Sequence, residues 1–234
     1  MFASPRTQLQ SYDALRVQAR EGTRGARLVV MLPGINIVPE DFETQGVIGE
    51  MMAARRDCDV AVAALSATDY LEDDFPARFD AALIEPARAA GYREIALVGL
   101  SLGTFGALRY VRAYPAVIAD LVMIAPFLGT PGTIAEITRA GGLMQWEPPR
   151  PSVRDNERHN LLWLKAHLLT PDVAPVLALG FGTEDRFAAA MHNLAAHLPR
   201  ARVRVEPGAH EWDTWRRVWR GFLSGPFFAS DGTQ

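Results

Sequence analysis

Short apolar runs recur along this chain at residues 27–32, 59–65, 94–99, 121–125, 173–180 and 202–206, each of strand length. Patterns of helical period lie between most of them, at 41–54, 76–91, 102–114, 186–198 and 211–223. Successive parallel strands need a crossover, so this alternation predicts an α/β fold with a mostly parallel central sheet flanked by helices. Residues 16–25 read as an antiparallel edge strand and turn ahead of the first clear strand. In open sheets of this kind, functional groups collect beyond the carboxyl ends of the strands.

The rhythm breaks once. Residues 127–171 carry Gly141-Gly142, Pro148-Pro149, Trp146, Trp163 and a helical stretch at 160–169, but no strong strand. This punctuation predicts a small lid-like insertion within one domain spanning 1–234. With 234 residues and 49% hydrophobic composition, such a domain can bury a full core.

Charge and cysteine content narrow the partners. The net charge of −3 comes from interspersed acids and bases, which points to small molecules rather than nucleic acid. Cys58 is the lone cysteine, which excludes an internal disulfide and a cysteine metal cluster, and it reads as a buried thiol. The first 25 residues lack an apolar core of the signal type, and no later stretch is apolar enough to span a bilayer. A cytoplasmic protein with no transmembrane segment is the expectation.

The run at 94–99 leads through Gly99-Leu100-Ser101-Leu102-Gly103 into a helical pattern. A Gly-x-Ser-x-Gly between strand and helix holds the serine at the apex of a sharp bend, where neighbouring chain passes too close for side chains at the glycines. Without further support such a loop is an ordinary turn or a phosphate cradle, although no lysine follows it and its spacing fits neither phosphate-binding pattern.

A serine hydroxyl is a weak nucleophile at neutral pH and needs a general base, which in turn needs an orienting acid. His210 follows the last strand-like run in Pro207-Gly208-Ala209-His210, whereas His159, His167, His192 and His197 fall in the insertion or on helical stretches. Asp185, in Gly182-Thr183-Glu184-Asp185, is the expected acid; Glu184 competes with it, and helix capping is the plain alternative for the aspartate. An oxyanion hole needs two backbone donors: Leu102, directly after the serine, and Ile35 in Leu32-Pro33-Gly34-Ile35-Asn36, where Pro33 has no N–H and Asn36 is a further assistant.

These residues, in the chain order Ser, Asp, His, resemble the α/β-hydrolase family across nearly the whole sequence. The segment Gly208-Ala209-His210-Glu211-Trp212, with Trp215, also resembles the ending of small carboxylesterases of the feruloyl-esterase and S-formylglutathione-hydrolase type. Pro33 departs from the histidine common in the family's oxyanion loop. The resemblance implies an eight-stranded sheet, two strands of which would lie in less patterned N-terminal sequence. It also implies hydrolysis of a carboxylic ester or thioester through an acyl-enzyme, with Ser101, His210 and Asp185 as catalytic residues, Ile35 and Leu102 as oxyanion donors, and no metal or organic cofactor. An acyltransferase using the same triad and a non-catalytic binding protein are the competing readings. Asn36, Phe127, Leu128, Leu143, Met144, Trp146 and Trp163 are the expected substrate-pocket residues, with packing of the insertion as the alternative for all but Asn36.

Overall fold

A computed structural model describes residues 15–18, 27–54, 58–170 and 173–225. Among the described residues seven strands form one sheet in the order β1-β3-β2-β4-β5-β6-β7. They are β1 (Leu15–Gln18), β2 (Arg27–Leu32), β3 (Cys58–Ala63), β4 (Glu94–Leu100), β5 (Asp120–Ile124), β6 (Val176–Gly182) and β7 (Val203–Glu206). All neighbours pair in parallel except β1, which runs antiparallel along β3 as the edge strand. The turn expected after it, at 19–25, lies outside the described residues. Among the described residues the sheet is thus one strand short of the eight implied by the resemblance.

The central strands are buried on both faces, which explains their continuous apolar character. In β2, Leu28, Val30 and Leu32 enter one core, while Val29 and Met31 enter the other. The strand expected at 173–180 begins only at Val176, because Pro175 offers no N–H to the ladder.

Two expected helices are interrupted. The stretch 41–54 divides into α1 (Pro39–Thr44) and α2 (Val47–Ala54) at Gly46, whose φ is +77°. The stretch 76–91 is α3 (Phe75–Phe79), a wider π turn over Asp80–Ile84, and α4 (Glu85–Ala89). Pro86 has no N–H to return to Ala82, and the chain widens so that Glu85 N–H reaches the carbonyl of Asp80. The remaining helices are α5 (Leu102–Ala113), α6 (Pro131–Arg139), α7 (Asn156–His167), α8 (Ala188–Ala195) and α9 (Trp212–Leu223).

The segment between β5 and β6 holds α6 and α7, and α7 packs on α5. Asn160 Nδ2 donates to the carbonyl of Phe105 at 3.1 Å, and Arg112 donates to Asn156 Oδ1 at 2.7 Å, tying α7 to α5. Leu128, Leu143 and Trp146 are buried in the same core as α5. A cavity of about 20 Å³ remains between α6, α7 and α8, lined by Leu128, Ile134, Ile137 and Leu194 among others. It has room for about one water, not for an acyl group. Among the described residues no helix is long and apolar enough to cross a membrane.

Candidate active site

Strand β4 ends at Leu100 and α5 begins at Leu102, so the chain must reverse within one residue. Ser101 takes that bend at φ 52°, ψ −115°, a conformation that costs an L-residue about 1–3 kcal/mol and persists only where its surroundings fix it. Here they do. Ser101 N–H donates to the carbonyl of Ile124 at 2.9 Å, while its own carbonyl accepts from Thr104 at 3.1 Å and Phe127 at 3.0 Å. The backbone is pinned by the end of β5, the loop after it and the first turn of α5, leaving the hydroxyl directed out of the sheet's carboxyl edge.

The hydroxyl meets His210. Nε2 of His210 stands 3.0 Å from Ser101 Oγ, and Nδ1 stands 2.7 Å from Asp185 Oδ2. An ionised carboxylate can only accept, so Nδ1 carries the proton and Nε2 of the neutral ring presents its lone pair to the serine. The side chain of Asp185 is fully shielded from solvent, and that of His210 is 13% exposed. Asp185 Oδ1 also accepts from the amide of Phe187 at 2.9 Å, so the carboxylate both starts the chain into α8 and orients the ring. Glu184, the preceding residue of the same turn, is exposed.

Two loops place the acid and the imidazole together. The amide of Thr183 donates to Glu206 and that of Glu184 to Gly208, both at 2.9 Å, lacing the turn after β6 to the loop after β7. Gly208 sits at φ +120°, which side chains rarely tolerate, and turns the second loop back toward the serine. His210 is then held between two ring edges. Phe187 stands 5.4 Å from it at 85° and Trp215 5.1 Å at 85°, a clamp that limits rotation of the ring. Trp215 belongs to the His210 segment that carries the esterase resemblance, whereas Phe187 has no signal in sequence that links it to the histidine. Trp215 lies four residues past the N-cap of α9, the spacing that brings a side chain back over the helix start.

The loop after β2 completes the rim. Asn36 adopts φ +58°, and Ile35 is 56% exposed. No backbone carbonyl among the described residues accepts from the Ile35 amide. The amide of Leu102 opens α5, where the partial positive charge of a helix start favours an anion.

The expected pocket residues separate. Phe127 comes to the site: its amide bonds Ser101, and its ring meets Phe187 edge-on at 5.9 Å. Leu128, Leu143 and Trp146 are core, at 7%, 3% and 3% exposure, and Met144 is half-buried against that core. Trp163 stacks on His167, which bonds the carbonyl of Pro175 just before β6 begins, at the edge of the sheet opposite the serine. Among the described residues no group of three or more His, Cys, Asp or Glu side chains gathers as a metal site would need.

Solved structures share this architecture. Est1E from Butyrivibrio proteoclasticus aligns at 13% identity and a TM-score of 0.59 over 88% of each chain. FphF of Staphylococcus aureus, a fluorophosphonate-binding serine hydrolase, aligns at 14% identity and a TM-score of 0.58 over 86% of this chain and 84% of that one. The monoacylglycerol lipase of Paleococcus ferrophilus aligns at 17% identity and a TM-score of 0.56 over 90% and 99%. The chain has the α/β-hydrolase fold. No family model matches the sequence, and no curated protein matches it. The likeness to an α/β hydrolase is therefore one of shape, and the chemistry must be argued from this chain's own side chains.

Proposed function

We propose that this protein is a serine hydrolase that cleaves a carboxylic ester or thioester through an acyl-enzyme. One observation carries the reading: the 3.0 Å approach of Ser101 Oγ to His210 Nε2, with the ring's other nitrogen 2.7 Å from buried Asp185. In this scheme His210 accepts the hydroxyl proton as Oγ attacks the substrate carbonyl, and Asp185 stabilises the imidazolium that forms. The amides of Leu102 and Ile35 receive the negative charge developing on the carbonyl oxygen, in dipoles already oriented before the reaction. His210 then protonates the departing alcohol or thiol. Water then attacks the acyl carbonyl while losing a proton to the same Nε2, and that proton passes to Ser101 Oγ as the Oγ–acyl bond breaks and the acid is released.

The Est1E and FphF likenesses are compatible with this scheme and supply none of its residues. The direct test is labelling with a fluorophosphonate probe together with turnover of p-nitrophenyl esters of increasing acyl length. Labelling at Ser101, abolished by Ser101→Ala, and ester turnover are the expected results. A folded protein that neither labels nor hydrolyses any of the esters overturns the proposal in favour of a binding role.

A further inference from the structure

We infer that Tyr70 is a positioning residue for the oxyanion loop, acting through the carbonyl of Pro33; this rests on the reading of Ser101 and Ile35 given above. Tyr70 lies in a one-turn 3-10 segment, Asp69–Leu71, in the connection between β3 and α3, far in sequence from both the serine and the loop. It is nevertheless completely buried. Its hydroxyl donates to the carbonyl of Pro33 at 2.8 Å. That carbonyl belongs to the peptide immediately before Gly34, one residue short of the amide of Ile35.

The anchor is held from the nucleophile's own helix. Gly106 of α5 leaves the space that the Tyr70 ring occupies, since a Cβ there would overlap the ring. One turn further on, Arg109 is buried and donates to the backbone carbonyls of Tyr70 and Glu72, the latter at 2.8 Å. Phe75 adds an edge contact at 5.4 Å. Tyr70 is thus clamped to α5, and α5 carries at its start both Ser101 and the Leu102 amide. The hydroxyl transfers that fixed frame to the opposite wall, so the two donors of the proposed oxyanion hole keep their separation.

The position matters because a hydrogen bond to a developing oxyanion depends steeply on distance and angle, and the Tyr70 hydroxyl adds a directional tie to a loop that otherwise meets α5 through backbone packing of Leu32 and Pro33 on Gly103. Removing the hydroxyl leaves the Pro33 carbonyl buried without its donor and frees the loop to shift. Ground-state binding changes little, because the substrate's neutral carbonyl gains little from the hole.

The experiment compares Tyr70→Phe with Tyr110→Phe. Tyr110 is a second buried tyrosine, on the same helix as the clamp, but its hydroxyl bonds Asp80 and touches no part of the loop. Ester hydrolysis and inhibition by an alkyl trifluoromethyl ketone, which forms a tetrahedral oxyanion on the serine, are measured at a temperature where both variants are folded. Expected for Y70F is a fall in kcat of about 10-fold or more, a KM within about twofold, and a parallel loss of ketone affinity. Y110F should lose stability without either change. Wild-type kcat and ketone affinity in Y70F, or equal losses in both variants, overturn the inference while leaving Ser101 labelling by fluorophosphonate intact. Failure of the wild type to label overturns the underlying reading as well. Should Y70F not fold, 4-aminophenylalanine at position 70 keeps the ring and a weaker donor; an intermediate kcat supports the inference and an unchanged kcat overturns it.

Discussion

Gly103 lies so close beneath the carbonyl of Leu32 that a Cβ on it would overlap that oxygen. The start of α5 and the end of β2 are in backbone contact, and this contact sets the distance between the serine's bend and the loop carrying Ile35. Gly103→Ala therefore forces the two apart. We expect a loss of about 2–3 kcal/mol in chemical denaturation, at the upper end of overpacking costs because the opposing atom is backbone and cannot swing aside. Activity should fall further than stability, since the separation falls at the reacting atoms.

The neighbouring carboxylates Glu184 and Asp185 are distinguished by geometry alone. Asp185 faces His210 from a fully shielded position, and Glu184 is exposed. Asp185→Asn keeps the shape but removes the charge, and its amide can turn a donor toward Nδ1, which favours the wrong tautomer. We expect kcat to fall by about 10³–10⁴-fold with little change in melting temperature. Glu184→Gln should stay within about twofold of wild type. Reversal of the two results would place the acid one residue earlier.

Most of the sheet was legible in sequence because its strands are buried on both faces, so runs such as Leu28–Leu32 carry their signal in every residue. The three polar side chains were legible for another reason: each follows a strand end, where chain reversal leaves few backbone options. Other features depend on atoms distant in sequence. Tyr70 reads as an ordinary aromatic until Pro33 is found above it. Leu128 and Trp146 read equally well as a pocket lining or as core, and only α5 and α7 packing against them decides for core. Helix α6 was missed since Gly132, Thr133, Ile134, Ile137 and Thr138 are weak helix formers; it is held by burial of Thr133 and Ile137, one turn apart.

Asn36 offers a separation of backbone from side chain. Its φ of +58° is open to glycine and tolerable to asparagine, but strained for a β-branched residue. Asn36→Gly should keep stability within about 0.5 kcal/mol and kcat within about threefold if the loop needs only the left-handed turn. Asn36→Val should cost about 1–2 kcal/mol and lower kcat more, by displacing Ile35. A large loss in the glycine variant, measured by ester turnover, would instead assign the side chain a direct part.

At the opposite edge of the sheet, Asp120 opens β5 with its carboxylate 3.2 Å from Arg27, a guanidinium that also holds Glu94 at 2.6 Å. Burial pushes the Asp120 carboxyl up to about 6, against the pull of Arg27 and with the nearby Glu94 charge adding to the rise. The folded state therefore holds this proton more tightly than the unfolded chain, whose carboxyl titrates near about 4. The stabilising contribution is complete below that lower value and is lost as pH rises through about 6. Asp120→Asn carries no charge at any pH, so the stability difference between variant and wild type should move in the variant's favour between pH 4 and 7. The expected swing is on the order of 2 kcal/mol, read from urea denaturation midpoints at each pH. A difference that stays flat, or moves the other way, would mean that Arg27 outweighs burial and that the carboxylate remains charged throughout.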